Sequence, residues 1–226
     1  MCLTVMFASL NNIKTEKMKK SIGIVLGILV ITSSVFASNK KGEKSAFEID
    51  TKASKVHWTA KKVTGGHTGY LSVGTGTVMV ENNNVVGAQV NMDLNSIVCT
   101  DLKDAGTNQK FVGHLKSDDF FSVSNHPVAK FEITTIVPGS TSGEYNVKGN
   151  MTIKGITNEI SFPVKVSLNN GTVKAVGTAK LDRTRWDIKY GSGKFFEGLG
   201  DKMIYDEFEV TFDISAKAGD SSLSAK

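Results

Sequence analysis

Val85–Leu94, "VVGAQVNMDL", sets Val86, Ala88, Val90, Met92 and Leu94 against Gly87, Gln89, Asn91 and Asp93. A period of two over ten residues is the pattern of a strand with one buried face. The same alternation recurs along most of the chain. Val56, Trp58 and Ala60 oppose His57, Thr59 and Lys61, and Phe131 and Ile133 oppose Lys130 and Glu132. It continues through Tyr145, Val147, Met151 and Ile153, and then through Ile160, Phe162, Val164, Val166 and Leu168. Val173, Ala175, Gly177, Ala179 and Leu181 form one further stripe, and Phe208, Val210, Phe212 and Ile214 another. With Val78 and Val80 of "GTVMVE" this predicts eight strands.

The connections at 81–84, 138–144, 154–157 and 168–171 are short clusters of Asn, Gly, Pro and Ser. They suit antiparallel neighbours and leave no room for helical crossovers. Eight such strands close most economically as an up-and-down barrel, which leaves no exposed edge; a two-sheet β-sandwich is the alternative. Pro163 argues for an edge or a bulge at its position. Two longer segments break the alternation: 100–124, where Phe111 and Leu115 share a short helical face, and the Gly-rich 189–204. Connections of this length usually cover something.

Residues 1–37 read as targeting rather than fold. Lys19 and Lys20, the apolar run Ile22–Ile31 and the small-residue site ending at Ala37 have the layout of a secretory signal peptide. Met18 then serves as the initiator, and cleavage at Ala37/Ser38 releases the protein to the periplasm without a membrane span. Without the leader's four lysines and one glutamate the formal charge falls from +5 to +2. No basic block remains, which excludes a nucleic-acid footprint. Cys2 leaves with the leader, so Cys99 is a lone thiol in an apolar neighbourhood, expected to be buried and inert. Residues 38–46 and 217–226 are expected to be flexible flanks of a domain spanning 47–216.

Catalytic motifs fail on inspection. "GHLKSDDFF" (Gly113–Phe121) crowds His114, Ser117, Asp118 and Asp119 onto one short element, where triad geometry is rarely met; Ser117 fits a helix N-cap instead. "GSGKFF" (Gly191–Phe196) lacks the remaining residues of a phosphate loop. His57, His67, His114 and His126 never pair at metal-ligand spacing, so neither a metal nor a cofactor is expected. "DRTRWD" (Asp182–Asp187) offers Arg183 and Arg185 to an anionic group, or to its own aspartates.

"SIVCTDL", "NQKFVGHLKSDDFFSVSNHPVAKFEIT" and "YNVKGNMTIKGITNEISFPVKV" closely resemble the YceI-like family of bacterial lipid- and polyisoprenoid-binding proteins. The likeness runs from about Phe47 to Ser215. It implies a lipocalin-like barrel in the periplasm, commonly dimeric, with an amphiphile in an apolar tunnel. The function expected is non-catalytic transport or sequestration of an isoprenoid-type lipid. The rivals are an enzyme acting on such a lipid and a filled-barrel stress or interaction protein.

Small residues on inward faces (Ala129, Gly149, Ala175, Gly177, Ala179) favour a hollow. The tunnel wall is expected to include Trp58, Val90, Met92, Phe131, Ile133 and Met151, with Phe162, Ala175, Gly177, Phe208 and Phe212. Phe111, Leu115 and Phe120 are expected to plug one end. Phe195 and Phe196 should border the entrance, with Arg183 and Arg185 at the head group. For the leader, intact-mass measurement on protein from the native periplasm should find Ser38 at the N-terminus; retention of residues 18–37 would refute export.

Overall fold

Nine strands and one helix follow in order along the computed structural model, which describes residues 44–219. They are β1 (Lys44–Ile49), β2 (Lys55–Lys62), β3 (Gly65–Glu81), β4 (Asn84–Cys99), α1 (Ala105–Lys116), β5 (Val128–Pro138), β6 (Glu144–Ile153), β7 (Ile156–Asn169), β8 (Thr172–Asp182) and β9 (Ile204–Ala218). Consecutive strands from β2 to β9 pair antiparallel, and β9 returns to pair with β2, closing an eight-stranded barrel. β1 shares one barrel position with β2. It pairs with the far end of β3 (Phe47↔Val78) and with the end of β9 (Phe47↔Ala218). Lys44–Ala46, Lys217 and Ala218 therefore lie in paired strands and not in the flexible flanks expected from the sequence. The leader and the remainder of both flanks lie outside the described residues.

Three hairpins turn through two residues of positive φ: Asn82–Asn83, Lys154–Gly155 and Asn170–Gly171. This is the geometry whose twist matches the strands it joins. The β2–β3, β4–β5, β6–β7 and β8–β9 connections all fall at one end of an up-and-down barrel. That end holds α1 and the 3-10 turns Arg183–Trp186 and Gly200–Lys202. At the opposite end Phe47, Ile49, Val78, Val80, Val173 and Ala216 are buried together, and they close the barrel there.

Where the sequence stripe slips, a bulge explains it. Gly74 is an extra residue on β3, Val86 on β4 and Thr134 on β5. The inward set of β4 therefore begins at Val85, and Val86 is 42% exposed, contrary to the simple alternation. Beyond these bulges Ala88, Val90, Met92 and Leu94 keep the inward phase. Pro163 stands opposite Asn146 of β6, where the β7–β8 ladder stops at Val164↔Gly177. Beyond that point β7 and β8 part, so a residue without an N–H fits there.

The strand glycines are seats for rings. Gly69 faces Trp58 across the β2–β3 ladder, and Gly177 faces Phe212 across β8–β9. A Cβ on Gly69 would lie 1.9 Å from the Val98 carbonyl oxygen and 2.6 Å from the Trp58 ring; one on Gly177 would lie 2.7 Å from Phe212. Gly149, paired with Ile133, lies diagonally beneath the Phe131 ring, which a Cβ there would meet at 2.6 Å. Gly69→Ala should therefore lower the unfolding free energy by about 1–3 kcal/mol in urea titration. Gly87→Ala, whose Cβ would first meet Met79 at 3.9 Å, should change it little.

Candidate functional site

Inside the barrel runs a cavity of about 510 Å³, with walls that are almost entirely apolar. Trp58, Val90, Met92, Phe131, Ile133, Met151, Phe162, Ala175, Phe208 and Phe212 all line it, as the stripes predict. Phe111 and Leu115 of α1, with Phe120 just beyond it, line it from the helix end. Val85, Leu71 and Ile97 also line it but were missed from the sequence, because bulges and strand irregularities shift the phase on β3 and β4. Gly177 is not part of this wall: the Phe212 ring lies over it. The inward glycines thus make room for aromatic rings, and the hollow is what those rings leave.

The helix covers the end through aromatic contacts. Asp104 caps α1 by accepting a hydrogen bond from the Thr107 N–H (2.8 Å). Phe111 sits against the His67 ring at 4.3 Å and the Trp58 ring at 6.5 Å. His114 meets Phe120 at 4.9 Å and Tyr190 at 4.7 Å, tying the helix to the 189–203 segment at the same end of the barrel. Helix and Gly-rich loop therefore flank one mouth. Ser117 is the C-cap of α1, not an N-cap, and its Oγ donates to the His114 carbonyl (2.8 Å). The His114 ring pairs with Asp119 (2.9 Å), so the "GHLKSDDFF" cluster is spent on local structure.

Both predicted head-group arginines are held by the protein itself: Arg183 borders the cavity with its guanidinium engaged, and Arg185 does not line it. Arg183 is buried, and its guanidinium donates to the carbonyls of Tyr205 (3.2 Å), Ile188 (2.9 Å) and Ile204 (3.1 Å). It also approaches the Asp206 carboxylate at 3.4 Å. Burial lowers its pKa, against the opposing charges of Asp206 and Asp182. Arg185 donates to the Glu159 carbonyl (2.8 Å) on β7, and its guanidinium lies 5.5 Å over the Trp186 ring. Trp186 is fully buried and donates to the Met151 carbonyl (3.0 Å). The segment after β8 thus plugs the split between β7 and β8. Phe195 and Phe196, placed by the sequence at the entrance, are about half exposed on the loop and do not line the cavity. Lys194 pairs with Asp182 (2.7 Å) and Asp206 (3.4 Å), which removes the phosphate-loop reading.

Besides Arg183, the polar groups that reach the mouth are Lys61 and Lys62 at the end of β2, Lys202, and the side chains of His67, Tyr190 and Tyr205. Sequence reasoning placed Lys61 on the polar face of its strand and singled out neither Lys62 nor Lys202. Nearby, burial pushes the Asp101 carboxyl up, but hydrogen bonds from the Thr68 N–H, His67 and Cys99 outweigh it and bring the pKa down to about 2. Burial also raises the Cys99 thiol, as expected of an unreactive cysteine. If Arg183 is a structural lock, Arg183→Gln should lower the unfolding free energy by about 3–5 kcal/mol, the cost of stranding a buried partner. Arg185→Ala should cost about 1 kcal/mol, one exposed hydrogen bond. Equal and small effects in chemical denaturation would refute the lock.

The barrel matches solved structures over nearly their whole length. BcnA of Burkholderia cenocepacia is 25% identical with a TM-score of 0.60, the match covering 75% of this chain and 99% of that one. A polyisoprenoid-binding domain from Saccharophagus degradans, implicated in plant cell wall breakdown, is 15% identical with a TM-score of 0.58, covering 77% and 99%. No curated protein matches the sequence. The family model of the YceI-like domain matches residues 47–216, the closed barrel with its helix and mouth, and the chain belongs to the YceI-like family.

Proposed function

We propose that this protein is a non-catalytic carrier or sequestering protein for a long-chain amphiphile of the isoprenoid type, working in the periplasm. The observation that carries the reading is the cavity. It is elongated along the barrel, about 510 Å³ in volume, and lined from the mouth to the closed end by aliphatic and aromatic side chains. That volume lies in the usual range for small-molecule sites. Each methylene moved into such a wall gains about 0.8 kcal/mol, so a chain is held strongly and without specific polar contacts. A tail pointing inward leaves its head beside Lys61, Lys62 and Lys202, the cations at the mouth. The relative from Saccharophagus degradans is a polyisoprenoid-binding domain, and an occupant of that kind suits this wall.

Catalysis would need polar groups converging on one point of the bound chain. The Arg183 guanidinium at the mouth is engaged with backbone carbonyls instead, and the interior wall is almost entirely carbon. Periplasmic residence is supported by the leader read in the sequence. Among the described residues no helix is long and apolar enough to cross a membrane.

Solvent extraction of protein purified from its native host, followed by mass spectrometry, should yield one chain lipid per barrel. Ala175→Phe, which fills part of the cavity, should lower that yield while the fold persists. An empty wild-type extract would overturn the reading, and conversion of an added lipid would favour the enzyme.

A further inference from the structure

We propose that His67, Cys99 and Asp101 form a zinc-binding site at the rim of the barrel. Gly69 and Cys99 are directly paired across β3 and β4. Two residues further toward the mouth on each strand stand His67 and Asp101, which therefore face one another where the ladder ends. His67 Nδ1 lies 2.8 Å from Asp101 Oδ2, and Cys99 Sγ lies 3.2 Å from Asp101 Oδ1. The imidazole nitrogen, the thiol sulfur and a carboxylate oxygen all fall within 4.8 Å of one another. Tetrahedral coordination at about 2.0–2.3 Å spaces ligand atoms roughly 3.3–3.6 Å apart, so modest side-chain rotation seats an ion among them.

The donor set selects the metal. One thiolate, one imidazole and one carboxylate form the borderline-soft combination that suits zinc and does not suit calcium or magnesium. The charges also balance: thiolate and carboxylate neutralise a divalent ion at the edge of an apolar cavity, where residual charge is costly. Asp101 is already oriented from outside the cluster, because the Thr68 N–H donates to its Oδ1 at 2.8 Å and leaves Oδ2 to turn toward an ion. The His67 ring is held by Phe111 at 4.3 Å.

Binding releases one proton to solvent, that of the Cys99 thiol. On binding, the His67 proton moves from Nδ1, where it bonds Asp101, to Nε2, so Nδ1 presents its lone pair, and water takes the fourth position. The ion thereby replaces two hydrogen bonds to Asp101 and clasps the ends of β3 and β4 beneath α1. This assignment does not depend on what occupies the barrel.

The test uses the full chain, stripped of metal, incubated with zinc and desalted. Elemental analysis should find one zinc per chain in the wild type. Cys99→Ala should retain at most a tenth of that amount, and His67→Ala should likewise lose most of it. Circular dichroism serves as the folding control for each variant. Cobalt in place of zinc should give the thiolate-to-cobalt charge-transfer band in the near ultraviolet, which Cys99→Ala abolishes although Cys2 remains. Zinc should raise the thermal midpoint of the wild type and leave that of folded Cys99→Ala unchanged. Failure of the wild type to retain zinc would overturn the proposal. Undiminished zinc in Cys99→Ala would overturn it as well, by placing the ion elsewhere.

Discussion

A closed barrel of eight strands fixes its own radius, and the rest of the molecule follows from that constraint. At this strand number the interior is either just filled by side chains or just too wide for them. Here the rings of Trp58, Phe131 and Phe212 lie over glycines of the wall, and Phe131 and Phe212 each pack against Phe162. A larger residue at Gly69, Gly149 or Gly177 would push each ring inward. The cavity is thus maintained by close packing within the wall.

A hollow barrel needs two differently built ends. The end away from the helix is closed by an ordinary apolar cluster, with β1 wedged between β3 and β9. The mouth is shaped by polar chemistry. Arg183 fixes the backbone of Ile188, Ile204 and Tyr205, so the flanks of the Gly-rich loop are anchored even where the loop itself is exposed. Trp186 and Arg185 pack beside the split where β7 and β8 part, bonding to β6 and β7. A guanidinium suits this task because its planar fork can satisfy several carbonyls at once.

The strands were legible in the sequence because a half-buried strand writes its own period. Trp58, Met92, Phe162 and Phe208 could be assigned inward from alternation alone, and the structure places all four on the cavity. The reading failed where the backbone departs from regularity. Val86 was assigned inward because nothing in "ENNNVVGAQ" signals an extra residue, and the N-terminal half of β3 was lost because Gly74 breaks the stripe between Val73 and Val78. The two arginines were misread for a different reason. Their partners are backbone carbonyls of β7, β9 and the loop, and carbonyls leave no trace in side-chain composition. The same blindness hid the neighbourhood of His67, Cys99 and Asp101, which antiparallel pairing brings together across a gap in the chain.

The pairing of β2 with β9 has a consequence in time. Val56 meets Phe212 and Trp58 meets Val210, so the seam joins segments far apart along the chain. Without β9 the sheet from β2 to β8 would be left with two unpaired edges. Such a seam is slow to form, because the entropy of a long loop is lost before any contact rewards it. The seam that closes the barrel is therefore also the one whose edges stay longest open to other strands.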